Sequence, residues 1–322
     1  MYSNKIKNLN NITNTLNPYN DKISKVDITL GCDPEFFLID KYTKKLLHAY
    51  MFFNRWDQVG SDGILAELRP HYSLTPFGLV YNLYKLIIST RDILNRNYKY
   101  NSDNIMMLAA SNYKKAVAGF HLHFGLPKVI LGKNLRNTVL MYNIVKILDY
   151  YIGLPASILE GEVDAMRRSN IFISYGKPSD FRLDNRTLEY RVVGGNMLKH
   201  PVLSIGLIAL GNIVIQDIIS KLKWNSNNFT KLYLLNYNTY FKDLYPDVLN
   251  TSSVYSLICS PCTRNARVYL DNVYTGIQQM IGYREKSGDI DRFFNCIFNN
   301  IQYNNDMEYN WREFYNGANK FC

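Results

Sequence analysis

Four short apolar runs in this 322-residue chain each carry two polar side chains spaced two apart: Asp33-Pro34-Glu35, Glu67-Leu68-Arg69, His121-Leu122-His123 and Glu189-Tyr190-Arg191. In an extended strand, residues i and i+2 share a face and lie about 6–7 Å apart. Each segment, set in FFLI, GILAEL, AGFHLHF or LEYRVV, therefore turns its polar pair one way and an apolar neighbour the other. Charge on a half-buried sheet face is costly unless it is paired or bound to metal. One arrangement satisfies all four segments together: a polar sheet face holding divalent cations and a phosphate-rich ligand. Carboxylates suit Mg²⁺ or Mn²⁺, and an imidazole joins them where Mn²⁺ is tolerated.

Taken singly, each segment has a plainer reading. Asp33 and Glu35 read as solvated edge residues. Glu67 with Arg69, and Glu189 with Arg191, read as ion pairs of little energetic value. His121 and His123 read as neutral, hydrogen-bonded core histidines, although Gly119 and Gly125 beside them favour a ligand role. The combination points to a site. Basic residues add to it: Arg167-Arg168, the run Tyr175-Gly176-Lys177-Pro178-Ser179-Asp180-Phe181-Arg182, and Arg191 gather several guanidiniums, whose forks match phosphate oxygens. Arg167 reads as part of a solvent-exposed basic loop; Arg168, Arg182 and Arg191 read as functional.

Around these segments the pattern predicts strands over 26–40, broken or bulged near Gly31 and Pro34, and over 46–53, 64–69, 105–110, 116–126, 171–175 and 187–193. Thr75-Pro76 is an N-cap followed by proline at the first helical position, and Leu79, Leu83, Leu86, Ile87 and Leu94 recur behind it at helical spacing. Further helices are predicted over 135–151, capped by Asn134, and 201–223, then 228–242, 265–283 and 289–303. Strands and helices interleave without regular βαβ alternation, so the fold class is α+β with a largely antiparallel sheet. The expected organisation is a polar arm over 1–25, a catalytic domain over 26–223, and a helical extension over 224–322 packed on the same domain.

A hydrophobic fraction of 47% with 26 tyrosines supports a folded chain. The net charge of +10 favours phosphate-bearing partners. The lysines are scattered rather than blocked, so nucleic acid is not the expected partner. Five cysteines without a framework suit a reducing compartment, and the lone pair Cys259-x-x-Cys262 reads as packing rather than zinc ligation. The polar first 20 residues lack the apolar core of a signal peptide. The apolar stretch 201–215 is interrupted by Gly206, Gly211 and Asn212 and is too short to span a bilayer, so a buried helix is expected. The cytoplasm is the expected compartment. Heavy use of Asn, Ile, Lys and Tyr resembles proteins of AT-rich genomes, viral ones included, which would make it the host cytoplasm or the virion.

The motifs GCDPEF, DGILAELRP, AGFHLHFG and the series from Arg167-Arg168 through Tyr175-Gly176 and Asp180-Phe181-Arg182 to LEYR resemble the phage-type carboxylate–amine ligases (amidoligases), relatives of glutamate–cysteine ligase and glutamine synthetase. The resemblance covers residues 29–196. It implies a glutamine-synthetase-like sheet curved around a site for ATP and Mg²⁺. By this resemblance Asp33, Glu35, Glu67, His123 and Glu189 hold metal. His121, Arg69, Tyr175, Gly176 and Arg191 contact nucleotide or phosphate, and Arg168, Arg182 and Arg191 act on the transferred phosphoryl group or the substrate. His121 and His123 are interchangeable candidates for the family's single histidine. The chain departs from the pattern at Ser179, where a small residue, often glycine, is expected, and at Asn196-Met197, where a tryptophan is usual.

The resemblance further implies an acyl phosphate formed from a small-molecule or peptide carboxylate and captured by an amine. The rival from another class is a virion-associated structural protein that keeps the fold with a weakened site, motivated by the Tyr/Asn-rich C-terminal third; homo-oligomer or virion association belongs with it. A zinc hydrolase built on His121 and His123 ranks last, because only His200 follows them.

Overall fold

The computed structural model describes residues 28–96, 101–126, 135–170, 175–184, 186–224, 237–246, 248, 251–261 and 264–318. The arm over 1–25, the cap at Asn134, most of the strand predicted at 171–175, residues 228–236, and Cys262 and Cys322 lie outside them.

The strands are β1 (Leu30–Asp40), β2 (Leu46–Leu47), β3 (Val59–Asp62), β4 (Leu65–Leu68), β5 (Ile105–Leu108), β6 (Asn112–Tyr113), β7 (Ala116–Val117), β8 (Phe120–Gly125), β9 (Phe181–Leu183) and β10 (Thr187–Tyr190). All their pairings are antiparallel. The main, curved sheet has the order β3-β4-β1-β8-β10-β9, and β2 and β5 pair with the far half of β1.

β1 is one continuous strand, not a broken one. It changes partners instead: residues 30–34 pair with β8, 35–36 with β4 and 37–40 with β5. Glu35 donates its N–H to the Gly119 carbonyl on the β8 side. Successive N–H groups of a strand alternate sides, so the missing donor of Pro34 falls on the other side, where the β4 ladder is only beginning.

Alternation along these strands separates two chemistries. Cys32, Phe36, Leu38, Ala66, Leu68, Phe120, Leu122, Phe124, Leu188, Tyr190 and Val192 enter the main core. On the opposite face Phe37, Ile39, Leu65, Leu108 and Ala118 close a small apolar cluster at one end. The rest of that face is left to the polar residues.

The helices are α1 (Pro76–Asn95), α2 (Leu135–Leu148), α3 (Leu154–Glu160), α4 (Glu162–Ala165), α5 (Pro201–Trp224), α6 (Tyr237–Leu244), α7 (Thr251–Cys259), α8 (Arg264–Gln278), α9 (Tyr283–Phe298) and α10 (Met307–Ala318). Thr75 caps α1 by accepting from the Gly78 N–H at 3.1 Å. α5 is long and apolar enough to cross a membrane, contrary to the expectation from length, and it is the core helix: 83% of its apolar window is buried. The two glycines that seemed to interrupt it are contact points. A Cβ at Gly206 would strike Phe293 of α9, and one at Gly211 would stand 2.8 Å from the ring of Phe124 in β8. One continuous core runs from Ile28 to Trp311, whose indole N–H donates to the Leu198 carbonyl at 2.7 Å.

Several predicted boundaries are corrected. Only Leu46–Leu47 of the run 46–53 is strand, because Ala49 enters a 3₁₀ turn and the alternation stops. The run 116–126 splits at Ala118 and Gly119 into β7 and β8. The helix predicted over 135–151 passes at 149–153 through a π-helical turn before α3. The strands β3, β6 and β9 and the helices α3, α4, α7 and α10 were not anticipated.

Candidate active site

The polar face is assembled by register. Glu35 of β1 stands opposite Glu67 of β4, Asp33 opposite His121 of β8, and His123 opposite Glu189 of β10. Four separate strands thus place Asp33, Glu35, Glu67, His121, His123 and Glu189 on one face of the sheet, opposite the main core.

Asp33, His123 and Glu189 offer donor atoms all within 4.8 Å of one another. His123 Nε2 lies 2.8 Å from Asp33 Oδ1, and His121 Nδ1 lies 3.4 Å from Asp33 and 3.6 Å from Glu189. Burial alone would push the Asp33 carboxyl up, but the hydrogen bonds and charge of the two imidazoles hold it well below the usual carboxylate range. His123 is raised in turn: burial works against its charged form, and Asp33 and Glu189 overcome it. Two carboxylates and an imidazole form a donor set for a divalent cation, with the oxygen preference of Mg²⁺ and the nitrogen tolerance of Mn²⁺.

Glu35 sits deeper. Its Oε2 accepts from the Gly119 N–H at 2.6 Å and from the Tyr175 hydroxyl at 2.7 Å. Burial nonetheless raises its carboxyl above the ordinary value. Tyr175 also reaches His121 Nε2 at 2.9 Å, and burial beside Glu35 drives its phenol far upward, so it remains a donor. Gly119, flagged in the sequence only as a neighbour of the histidines, leaves room for this cluster: a Cβ there would approach His121 Nε2 at 2.6 Å and the Tyr175 hydroxyl at 2.9 Å.

The cationic rim is uneven. Arg69 pairs with Glu67 and Arg191 with Glu189, so the plain ion-pair reading and a place on the face both describe them. The charge of Glu189 raises Arg191 despite its burial, and Arg191 also lies 5.9 Å over the Tyr175 ring. Arg182 stands opposite Glu189 in register and is exposed.

Arg168 is elsewhere, which corrects its expected role on the phosphoryl group. It is fully buried on the core side; Nε and Nη2 donate to the carbonyls of Gly176 and Val192, and Nη1 pairs with Glu160 at 2.8 Å. With its donors consumed, it acts as an internal brace. Arg167, expected in an exposed loop, is also buried and pairs with Glu160 at 2.7 Å. Gly176, with φ of 66°, gives its carbonyl to that brace.

Ser179 has a physical explanation. Its φ is 65°, in the left-handed region where glycine is favoured. Its hydroxyl donates to Asp149 in the π-helical turn at 2.7 Å, and Tyr190 donates to the other oxygen of Asp149 at 2.8 Å. Asn196, where tryptophan was expected, accepts from Ser111 Oγ at 3.0 Å.

The family profile described as "Phage phiEco32-like COOH.NH2 ligase-type 2" matches residues 30–254. No curated protein sequence gives a significant match. Among solved structures, the chain is similar to a bifunctional glutathione synthetase from Pasteurella multocida at 9% identity, covering 88% of this chain and 49% of that one with a TM-score of 0.49. It is also similar to a structure titled a novel glutamine synthase homolog at 11% identity, covering 61% of this chain and 57% of that one with a TM-score of 0.36. The chain thus spans about half the length of these structures.

Proposed function

The chain belongs to the phage phiEco32-like COOH.NH2 ligase-type 2 family, and on that premise we propose that it joins a carboxylic acid to an amine using ATP, through an acyl phosphate. The observation that carries this reading is the convergence of Asp33, His123 and Glu189, with Glu35 and Glu67 alongside, on one face rimmed by Arg69, Arg182 and Arg191.

In this reading a carboxylate oxygen of the acid bonds to the γ-phosphorus as the bond to ADP breaks. The amine nitrogen then bonds to the carbonyl carbon, phosphate leaves, and the nitrogen gives up a proton. Asp33, His123 and Glu189 would hold Mg²⁺ or Mn²⁺, with Glu35 and Glu67 as further oxygen donors; the ion supplies positive charge against the triphosphate oxygens. Arg191 and Arg182 flank Glu189 and would supply guanidinium charge to the transferred phosphoryl group. Tyr175 and the Gly119 N–H fix the Glu35 carboxylate from behind, so one of its oxygens keeps a set direction. Catalysis in this reading is mainly positioning and electrostatics, with a base required to take the proton from the amine.

The test is ADP release that requires Mg²⁺ and rises when an acid and an amine are supplied together. Arg191→Ala is expected to lower kcat by about 100- to 1000-fold, the usual cost of one transition-state charge partner. His123→Ala and Glu189→Ala should also weaken Mn²⁺ binding measured calorimetrically. Failure of the wild-type protein to bind ATP would end this reading.

A further inference from the structure

The π-helical turn 149–153 lies on the core side of the strands that carry Arg182, Glu189 and Arg191. The Leu154 N–H returns to the Asp149 carbonyl, five residues back, so this turn is wider than an α-helical one. The widened turn receives the phenol of Tyr190. A Cβ at Gly153 would stand 2.5 Å from the Tyr190 hydroxyl, so glycine makes the space in which that hydroxyl meets Asp149. Burial, then the charge of Asp149, push the phenol far up, and it stays a donor.

Asp149 ties two segments together. Its Oδ1 accepts at 2.8 Å from Tyr190, which alternation places in the core while its neighbours Glu189 and Arg191 turn to the polar face. Its Oδ2 accepts at 2.7 Å from Ser179, in the segment between Tyr175 and Arg182. The residue after Ser179 completes the link: the Asp180 carbonyl accepts the Arg191 N–H at 3.1 Å, and its carboxylate lies 3.8 Å from the Arg191 guanidinium.

Among the described residues no cation forms an ion pair with Asp149. Arg168 acts on it from a distance and is itself paired with Glu160 at 2.8 Å; from α7 it is faced by the Cys259 thiol, which burial raises. Burial raises the Asp149 carboxyl to about 6, against the two hydroxyl donors. The folded state thus favours the neutral acid, and an asparagine of the same shape would serve the fold alone equally well at neutral pH. The ionised carboxylate differs in one respect: it accepts from both hydroxyls at once. In the neutral acid one oxygen carries a proton, and the hydroxyl facing it must turn round to accept.

Resting on the ligase reading, we propose that Asp149 is a positioning residue for phosphoryl transfer, which acts through Tyr190 and Ser179 to fix Glu189, Arg191 and Arg182 relative to one another. The ionised form is the working one. A misplacement of about 1 Å costs about 100-fold in rate, and loosening one of two ties costs part of that.

The experiment uses the full chain and two probes: Mn²⁺ alone, titrated calorimetrically, and ADP release with ATP, Mg²⁺, the common amino acids as carboxylates and hydroxylamine as the amine. Asp149→Asn and Tyr190→Phe should each weaken Mn²⁺ binding by about 10-fold, the low end of the cost of losing a support behind a ligand. The double variant should be no worse than the weaker single one, because both remove the same tie. For Asp149→Asn, kcat should fall by about 10-fold while KM for ATP moves by less than about twofold. Wild-type kcat should decline as pH falls through about 6, and Asp149→Asn should lack that limb. Infrared difference spectra of the metal-free protein should show a protonated carboxyl lost as pH rises over the same range, and absent from Asp149→Asn. At pH 7 this variant should unfold no more readily than the wild type, which separates a displaced site from a weakened fold. Wild-type Mn²⁺ affinity in both single variants, or an acid limb that survives Asp149→Asn, overturns the proposal. Weakened Mn²⁺ binding with no ADP release in the wild type would leave the positioning role standing and sink the ligase reading; wild-type rates in both variants would do the reverse.

Discussion

Glu160→Gln is the most demanding test of how this fold supports its site. Glu160 is buried at the end of α3 and accepts from Arg167 at 2.7 Å, from Arg168 at 2.8 and 3.0 Å, and from the Gly194 N–H at 2.8 Å. Burial opposes its ionisation, yet the two guanidiniums hold the carboxyl down to about 2. A carboxyl that falls on folding from an ordinary 4.5 to about 2 gains about 3 kcal/mol at neutral pH. Part of this is returned on Arg168, which burial pushes below its ordinary value, so 3 kcal/mol is about the upper figure. The sign follows from the depression: the stabilisation is complete above about 4.5 and is lost as pH falls towards 2. Glutamine keeps the shape and removes the charge, leaving two buried cations uncompensated. Urea unfolding at pH 7 should show a loss of about 3 kcal/mol, and the variant should lack that component of the wild-type decline between pH 4.5 and pH 2. A loss under about 1 kcal/mol with an unchanged acid limb would refute the brace as a source of stability.

Three further outcomes are expected. Ser179→Ala keeps the left-handed backbone and loses the bond to Asp149, so it should be less stable than Ser179→Gly by about 1 kcal/mol in thermal or urea unfolding. Asp149 is raised by burial to about 6, so its contribution is complete below 3.8 and is lost as pH rises through about 6. Asp149→Asn should flatten the stability profile over that window by about 3 kcal/mol, measured as unfolding free energy at pH 4 and pH 7. Arg69 Nη1 donates to the Asp57 carbonyl at 3.0 Å, and a Cβ at Gly60 would run into that guanidinium. Gly60→Ala should therefore displace Arg69 and the 54–58 loop while leaving the fold intact, read as an unchanged far-ultraviolet circular dichroism spectrum with increased proteolysis at the loop.

What the sequence conveyed best was face. A period of two is short enough to be read from five or six residues, so the strands carrying Asp33, Glu35, Glu67, His121, His123 and Glu189 were legible from alternation alone. β3 and β9 escaped because Val59-Gly60-Ser61-Asp62 and Phe181-Arg182-Leu183 are too short and polar to show a period. Leu46–Phe53 misled by being apolar throughout while turning after two residues. Arg168 was misread because an arginine beside YG and DFR looks the same whether it meets phosphate or a buried carboxylate. Its partner Glu160 lies eight residues earlier on a different element, and only the path through α4 brings the two together. Nothing in the residue pattern marks the 54–58 loop, whose placement depends on the missing side chain of Gly60.

The alternation that gives each strand two chemistries also ties them together. Removing or inserting a single residue between Gly31 and Glu35 would exchange the faces downstream, sending Phe36 and Leu38 towards water and carboxylates into the hydrocarbon interior. Point substitutions on either face can be absorbed one at a time, but a change in strand length spoils fold and reaction in the same step. A change of length is thereby better tolerated in the loops that join these strands than within them.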